Sequence, residues 1–284
     1  MPRLPGRLAF VSIGFVLASA GSLALEPAHA TAAASAQIAD LTYDVYVGGL
    51  HVFSFDVEMT LQPDRYRLTA EGETQGMISW FSTWHVGLVA EGVDRNGRIA
   101  PNRYVTESAW QGKQRRLQLG FREDGRYDLQ QTPPPEPDPD IEGALPETLP
   151  AGTVDPLSFA IAASRALQAT GRCDQRVPIF DGQRRYDLVV KQVGETTLPP
   201  NNYSIYQGPA TRCSFSVNRI SGFRKSMRPS QAAEAVPPAI WLATIRADLP
   251  PVPVRYEAEI KLGKIVIHLT GAQFRTEPAT AAVE

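Results

Sequence analysis

The stretch Leu41–Leu61 narrows the choice of folds more than any other. Phe53, Phe55, Val57, Met59 and Leu61 alternate with Ser54, Asp56, Glu58 and Thr60. A period of two puts the apolar set on one face of an extended strand and leaves the other face to water. Tyr43, Val45 and Val47 alternate in the same way, and Gly48-Gly49 predicts a hairpin turn between the two runs. The rhythm continues with Tyr66, Leu68 and Ala70 after Pro63-Asp64, then with runs at Tyr104–Trp110, Arg115–Phe121 and Arg126–Gln130. Asp94-Arg95-Asn96-Gly97, Gly112 and Glu123-Asp124-Gly125 punctuate them. Turns this frequent predict a mainly β chain, a curved antiparallel meander closing toward a barrel.

The stretch 132–152 interrupts the pattern with seven prolines. Proline cannot donate to a ladder, so a central strand is excluded and an extended, acidic surface loop is expected. A single strong helix signal follows, over 155–169. Asp155 can cap the first free N–H groups, Pro156 suits the first helical position, and Gly171 is a stop signal. Leu157, Ile161, Ser164 and Leu167 line one face, which one helix can bury only against a sheet. Beyond it, Val177–Phe180, a turn at Asp181-Gly182, Arg184–Val193, Tyr203–Tyr206 and Thr211–Arg219 read as further strands. Ile240–Ala247 reads as a short strand or one helical turn, and a hairpin through Leu262-Gly263 ends the sheet. The stretch 31–275 is read as one β-barrel-like domain, and 276–284 as a disordered tail.

Residues 1–30 read as a secretory signal. Arg3 and Arg7 precede the apolar run Leu8–Leu25, and Ala28-His29-Ala30 fits the small-x-small cleavage rule. Removal leaves 26 basic and 29 acidic residues, a net charge of −3. That near-balance gives no reason to expect nucleic acid as a partner. No later stretch is long and apolar enough to span a membrane as a helix, so the processed product is expected in the periplasm and not as a spanning protein. Two cysteines in an exported chain usually pair. A Cys173–Cys213 bond closes a 40-residue loop and would contribute roughly 3–4 kcal/mol by restricting the unfolded chain. No Cys-X-X-Cys spacing points to a redox pair.

The order of certain short motifs resembles a bacterial exported family known only as a domain of unknown function. They are Asp155-Pro156-Leu157-Ser158, Gly171-Arg172-Cys173, Phe180-Asp181-Gly182 leading to Tyr186-Asp187-Leu188, Cys213, Gly222-Phe223, Trp241-Leu242 and Pro251–Arg255. The resemblance covers most of Leu41–Phe274. It implies a curved antiparallel sheet or β-spiral barrel with a helix packed on or in it. That shape is similar to periplasmic envelope-maintenance proteins and, more distantly, to lipoprotein-carrier half-barrels. The resemblance carries over no catalytic residues.

Candidate sites are few. His51, His85 and His268 show no i+2 or i+4 pairing, so no metal site is expected. Nucleophile elbows and glycine-rich phosphate loops are missing, and no cofactor is expected. Trp80, Phe81 and Trp84 could line a cavity or form a docking patch, but burial in the barrel core is the favoured expectation. The run Arg219, Arg224, Lys225 and Arg228 could meet anionic lipid or glycan, or be a solvated loop. Gly182 is read as serving a turn, and Arg185 as pairing on the sheet surface. The function expected is a non-catalytic periplasmic barrel protein. It would support cell-envelope integrity by binding an apolar or amphipathic envelope component, a lipid, glycan or partner protein. The alternative is a hydrolase acting on an envelope polymer or ester, with Asp or His in the sheet concavity.

Overall fold

The period-two runs become strands, and their turns set the antiparallel order. The computed structural model describes residues 35–227, 236–260 and 262–278, all within the compact unit Ala33–Glu284. Strands β1 (Ser35–Val47), β2 (Leu50–Leu61), β3 (Arg65–Thr74), β4 (Trp84–Arg95), β5 (Arg98–Trp110), β6 (Lys113–Phe121) and β7 (Tyr127–Thr132) form the first meander. After β8 (Ile141–Glu142) and helix α1 (Pro156–Thr170) come β9 (Gln175–Phe180), β10 (Arg185–Leu198), β11 (Gly208–Ser221) and β12 (Phe223–Arg224). The chain ends in β13 (Ala239–Ala243), β14 (Val252–Ile260) and β15 (Gly263–Pro278). Among the described residues one 13-stranded sheet runs in the order β7-β6-β5-β4-β3-β2-β1-β15-β14-β13-β11-β10-β9, with β8 and β12 paired apart. The register Tyr43↔Leu269 and Tyr43↔Phe55 joins the two halves at β1.

The sheet is not closed by hydrogen bonds, but its curvature brings the edge strands β7 and β9 together. The rings of Tyr127 and Phe180 lie 4.8 Å apart, and Gln131 Nε2 donates to the Gly182 carbonyl at 3.3 Å. Gly182 has φ +83°, and a Cβ there would lie 2.8 Å from the Leu117 side chain, so the turn needs glycine for both reasons. Asp181 Oδ1 accepts from the N–H groups of Gln183 and Arg184, completing the expected turn. The edge of β9 is covered by Val154, which donates to the Pro178 carbonyl and accepts from Phe180 N–H. That contact shields the strand edge and delivers the chain to the start of α1.

Helix α1 fills one end of the concave face. Asp155 Oδ1 accepts from the N–H groups of Leu157 and Ser158 at 2.9 and 2.8 Å. Gly171, at φ +68°, ends the helix by donating to the Leu167 carbonyl. Ile161 is buried in the largest hydrophobic cluster, with Leu41, Tyr66 and Leu269. Leu167 belongs to a second cluster around Ile179 and Cys213. Leu157 packs against both the first cluster and a third, around Leu119 and Phe180. One helix thus ties three clusters together. Ser158 Oγ donates to the Asp155 carboxylate and shares a hydrogen bond of 2.7 Å with the Tyr66 hydroxyl of β3. Arg165 Nε donates to Asp94 Oδ2 of β4 at 2.9 Å. Behind the helix, Cys173 and Cys213 form a disulfide that joins the helix end to β11.

Several expectations are corrected. The Pro-rich stretch is not simply a surface loop: Leu149 is buried, and the Tyr127 hydroxyl donates to the Pro146 carbonyl. Its residues Ile141–Glu142 pair with β12. Tyr203–Tyr206 is a bend and not a strand. Asn201 Oδ1 captures Tyr203 N–H, and Ile205 N–H donates to Leu269 O of β15; local turn chemistry outcompetes the ladder. Arg185 does not lie on the sheet surface but is buried, 5% exposed, with Nη1 2.7 Å from Asp187 Oδ1. Thr276, Glu277 and Pro278 belong to β15 and not to a tail. The proposed secretory signal at residues 1–30 and the tail residues 279–284 lie outside the described residues.

Burial pushes the Asp155 carboxyl up to about 6, against the pull of Ser158 and the backbone N–H groups. An unfolded aspartate titrates near ~3.9. The folded chain therefore holds this proton more tightly. The resulting stabilisation is complete below about pH 4 and is lost as pH rises through about 6; it amounts to at most about 3 kcal/mol. Asp155→Asn keeps the cap and removes the titration. Denaturant unfolding should show wild type losing stability relative to this variant between those pH values, and a gap independent of pH would refute the assignment.

Candidate functional site

The inner face of the sheet changes character along the barrel axis. Toward α1 it is closed by Met59, Leu68, Ala90, Tyr104 and Leu119, all buried. Six residues further along each strand in the other direction, from Ala90 to Trp84 and from Leu119 to Lys113, no helix covers it. There the register sets Val45 opposite Phe53, Phe53 opposite Thr74, and Trp84 opposite Trp110, which faces Lys113. These positions share the face of Tyr43 and Leu119, because side chains alternate along a strand. They line a cavity of about 790 Å³ with Ile78, Ser82, Ser108 and Arg115. That volume is within the range of about 300–1,000 Å³ usual for small-molecule sites.

The floor and wall are aromatic. The rings of Phe53 and Trp84 lie 5.2 Å apart at 40°, and Trp110 Nε1 donates to Ser82 Oγ at 3.0 Å. Gly72 allows this packing, since a Cβ there would lie 2.5 Å from the Phe53 ring. One wall is cationic. On β6, Lys113 and Arg115 occupy the same face as buried Leu117 and Leu119. Neither cation has a carboxylate partner among the described residues. An apolar cavity with two unpaired cations at its edge suits a ligand with an apolar body and an anionic head.

Trp80, Phe81 and Trp84 are not barrel core. Trp80 is 79% exposed, Phe81 83% and Trp84 44%. The strand β3 ends at Thr74, and Gly76–Trp80 forms a short 3₁₀ turn beyond the sheet, so Trp80 and Phe81 have nothing to pack under. Only Trp84, at the start of β4, reaches the cavity. The basic run is engaged within the chain. Arg224 pairs with Asp138 at 2.7 Å, Lys225 Nζ donates to the Pro139 carbonyl, and Arg219 Nη2 donates to the Arg224 carbonyl. These contacts pin the Pro-rich stretch; Arg228 lies outside the described residues.

The histidines sit on the outer face and not in the concavity. His268 lies opposite Asp44 and His85 opposite Glu73, one residue out of phase with the core positions Tyr43 and Leu269. His85 Nδ1 is 3.3 Å from Glu73 Oε2. His268 is buried against Tyr203, its Nδ1 has no partner, and burial with the nearby Arg255 holds its pKa below the ordinary value. His51, Ser54 and Asp44 do meet, but Ser54 Oγ donates to Asp44 Oδ1 at 2.7 Å, and both groups approach the same ring nitrogen of His51. A serine–histidine–aspartate relay requires opposite ring nitrogens. No three His, Cys, Asp or Glu side chains among the described residues converge as a metal site. A second depression of about 840 Å³ is lined by the outer-face pairs Glu73–His85 and Glu107–Arg116, together with Asp56, Glu71 and Arg115.

From sequence Phe53 reads only as a core residue, and Trp110, Lys113 and Arg115 carry no functional expectation. The signal lay in the alternation Lys113, Arg115, Leu117, Leu119, which puts two cations on the apolar face. The role of Gly72 is directly testable. Gly72→Ala should force the Phe53 ring into the cavity and lower uptake of an anionic aromatic dye such as anilinonaphthalene sulfonate at least fivefold, read by fluorescence titration. Unchanged uptake would show that Phe53 does not form the cavity floor.

No curated protein matches the chain. Among solved structures it is similar to the crystal structure of a beta-barrel-like protein of domain of unknown function DUF1849 from Brucella abortus. The two are 12% identical with a TM-score of 0.48, and the alignment covers 84% of this chain and 98% of that one. Residues 42–270 match the family described as a protein of unknown function, DUF3108. The match takes in most of the first meander, the capped helix, both cysteines and much of the returning half of the sheet, and on it the chain belongs to the DUF3108 family.

Proposed function

We propose that this chain is a non-catalytic binding protein of the bacterial periplasm, whose open barrel end takes up an anionic amphiphile of the cell envelope. The observation that carries the reading is the placement of Lys113 and Arg115 on the inner face beside Phe53, Trp84 and Trp110. Both cations are exposed and hydrated without carboxylate partners, so an anionic head group can pair with them without first breaking an ion pair. The apolar body would lie along the aromatic wall, displacing water from surface that is otherwise exposed. Location is supported by the signal-like residues 1–30 and by the Cys173–Cys213 disulfide, which belongs to oxidising compartments. Among the described residues no helix is long and apolar enough to cross a membrane.

The test is a titration with 11-(dansylamino)undecanoic acid and with its methyl ester. Wild type should take up the acid saturably at one site. Lys113→Ser/Arg115→Ser should weaken the acid about tenfold, equivalent to ~1.4 kcal/mol, and leave the neutral ester nearly unchanged. Both substitutions are at exposed positions, so folding should be retained. Absence of saturable uptake, or equal loss for acid and ester, would overturn the proposal.

A further inference from the structure

The two ends of the barrel differ in a way that the cavity alone does not require. At the end nearer α1, the turns after β2, β4 and β6 are charged: Asp64 and Glu123 are exposed, with Arg65, Arg95 and Arg126 beside them. At the cavity end the turns present large apolar side chains to water. Leu262 is 81% exposed, and Leu50, Met77, Ile78, Trp80, Phe81, Trp84 and Trp110 are exposed as well.

These turns form one continuous rim. Gly48 N–H donates to the Lys264 carbonyl, joining the β1–β2 turn to the β14–β15 turn. Gln75 N–H donates to the Val52 carbonyl, joining β2 to the 3₁₀ turn. Trp110 Nε1 donates to Ser82 Oγ, joining that turn to the β5–β6 turn. The rim is also one-sided in charge. Residues 46–53, 74–84, 108–115 and 260–264 contain no Asp or Glu, whereas Lys113 and Arg115 lie among them unpaired and Lys264 is held by Glu257.

We infer that this rim is a membrane-docking surface, which seats the cavity mouth on an anionic lipid interface through Trp80, Phe81 and Leu262. Tryptophan prefers the head-group level of a bilayer, and shallow apolar insertion combined with cationic attraction gives reversible binding to anionic lipid. The occupant is a lipid surface and not a second copy of the chain. A two-fold contact through this rim would press together two patches that carry Lys113 and Arg115 and no Asp or Glu, and facing surfaces of like charge oppose association. Docking continues into the cavity mouth at Trp84 and Trp110, so an amphiphile could pass between bilayer and cavity without crossing water. The docking surface nonetheless stands whether or not the cavity takes such a ligand.

The experiment uses the unit Ala33–Glu284, which holds all the strands, α1, the disulfide and the three hydrophobic clusters. Co-sedimentation is measured with vesicles of phosphatidylethanolamine and phosphatidylglycerol, and with neutral phosphatidylcholine. Wild type should partition onto the anionic vesicles, less at high salt, with a blue shift in tryptophan emission. Three of the four tryptophans, Trp80, Trp84 and Trp110, lie at this end, so the emission reports it. Trp80→Ser/Phe81→Ser should lower partitioning at least tenfold while uptake of the dansyl acid and the circular dichroism spectrum stay as in wild type. Lys113→Glu/Arg115→Glu should lower it severalfold on anionic vesicles only. The inference fails if wild type does not partition, or if Trp80→Ser/Phe81→Ser partitions as wild type does. It fails equally if light scattering finds a dimer that this variant dissolves, which would make the rim a protein interface. Retained dye uptake with no vesicle binding would sink the docking surface and leave the cavity reading in place.

Discussion

The structure depends on α1 occupying one end of a concave sheet. A 13-stranded antiparallel sheet presents far more inner face than its own side chains can cover. The single helix covers part of it, and its place is fixed by a buried chain of hydrogen bonds. Asp155 holds the first turn, Ser158 bridges Asp155 to Tyr66, and Arg165 reaches Asp94. These groups could bind water in an unfolded chain, so the net gain of each bond is about 1 kcal/mol. Their larger effect is orientation: fully buried Asp155 is capped from within α1, but the Ser158–Tyr66 and Arg165–Asp94 bonds reach the strands, and any other helix placement would leave Tyr66 and Asp94 without them.

From that placement the functional asymmetry follows. Where α1 lies, the inner face is dry and packed by Ile161, Leu157 and their neighbours from β1 to β6. Where α1 ends its coverage, the same strands continue for several residues with nothing above them. Apolar positions there line a cavity, and two inner positions on β6 change from leucine to lysine and arginine. The disulfide reinforces the arrangement from outside the cavity by tying the helix end to β11. Stability and binding thus occupy opposite ends of one shell, so substitutions at the mouth can alter uptake without disturbing the three clusters.

Much of this architecture was legible in the chain. The alternation at Phe53–Leu61 gave the right face of β2, the Gly48-Gly49 and Asn96-Gly97 turns appear where expected, and Asp155 and Gly171 bound the helix. The candidate site was far less legible. Hydrophobicity alone says that Trp80 and Phe81 should be buried, and only knowledge that β3 stops at Thr74 shows that nothing is left to bury them. Arg185 looks like a surface cation until the β10 register sets it beside Asp187 in the interior. Lys113 and Arg115 are solvated charges, and their place on the cavity face is not visible until Leu117 and Leu119 are known to face inward. Each failure concerns where a strand ends or which face it turns inward, and both are settled by long-range packing that no local run of residues contains.

Hydrogen–deuterium exchange of the Ala33–Glu284 unit, with and without saturating 11-(dansylamino)undecanoic acid, tests the division of labour most directly. Protection should rise in the segments 52–53, 74–84 and 108–115, while amides of α1 and of the strands beneath it exchange as before. If the ligand instead deprotects α1, the helix is a movable plug and not the fixed element from which the rest is built.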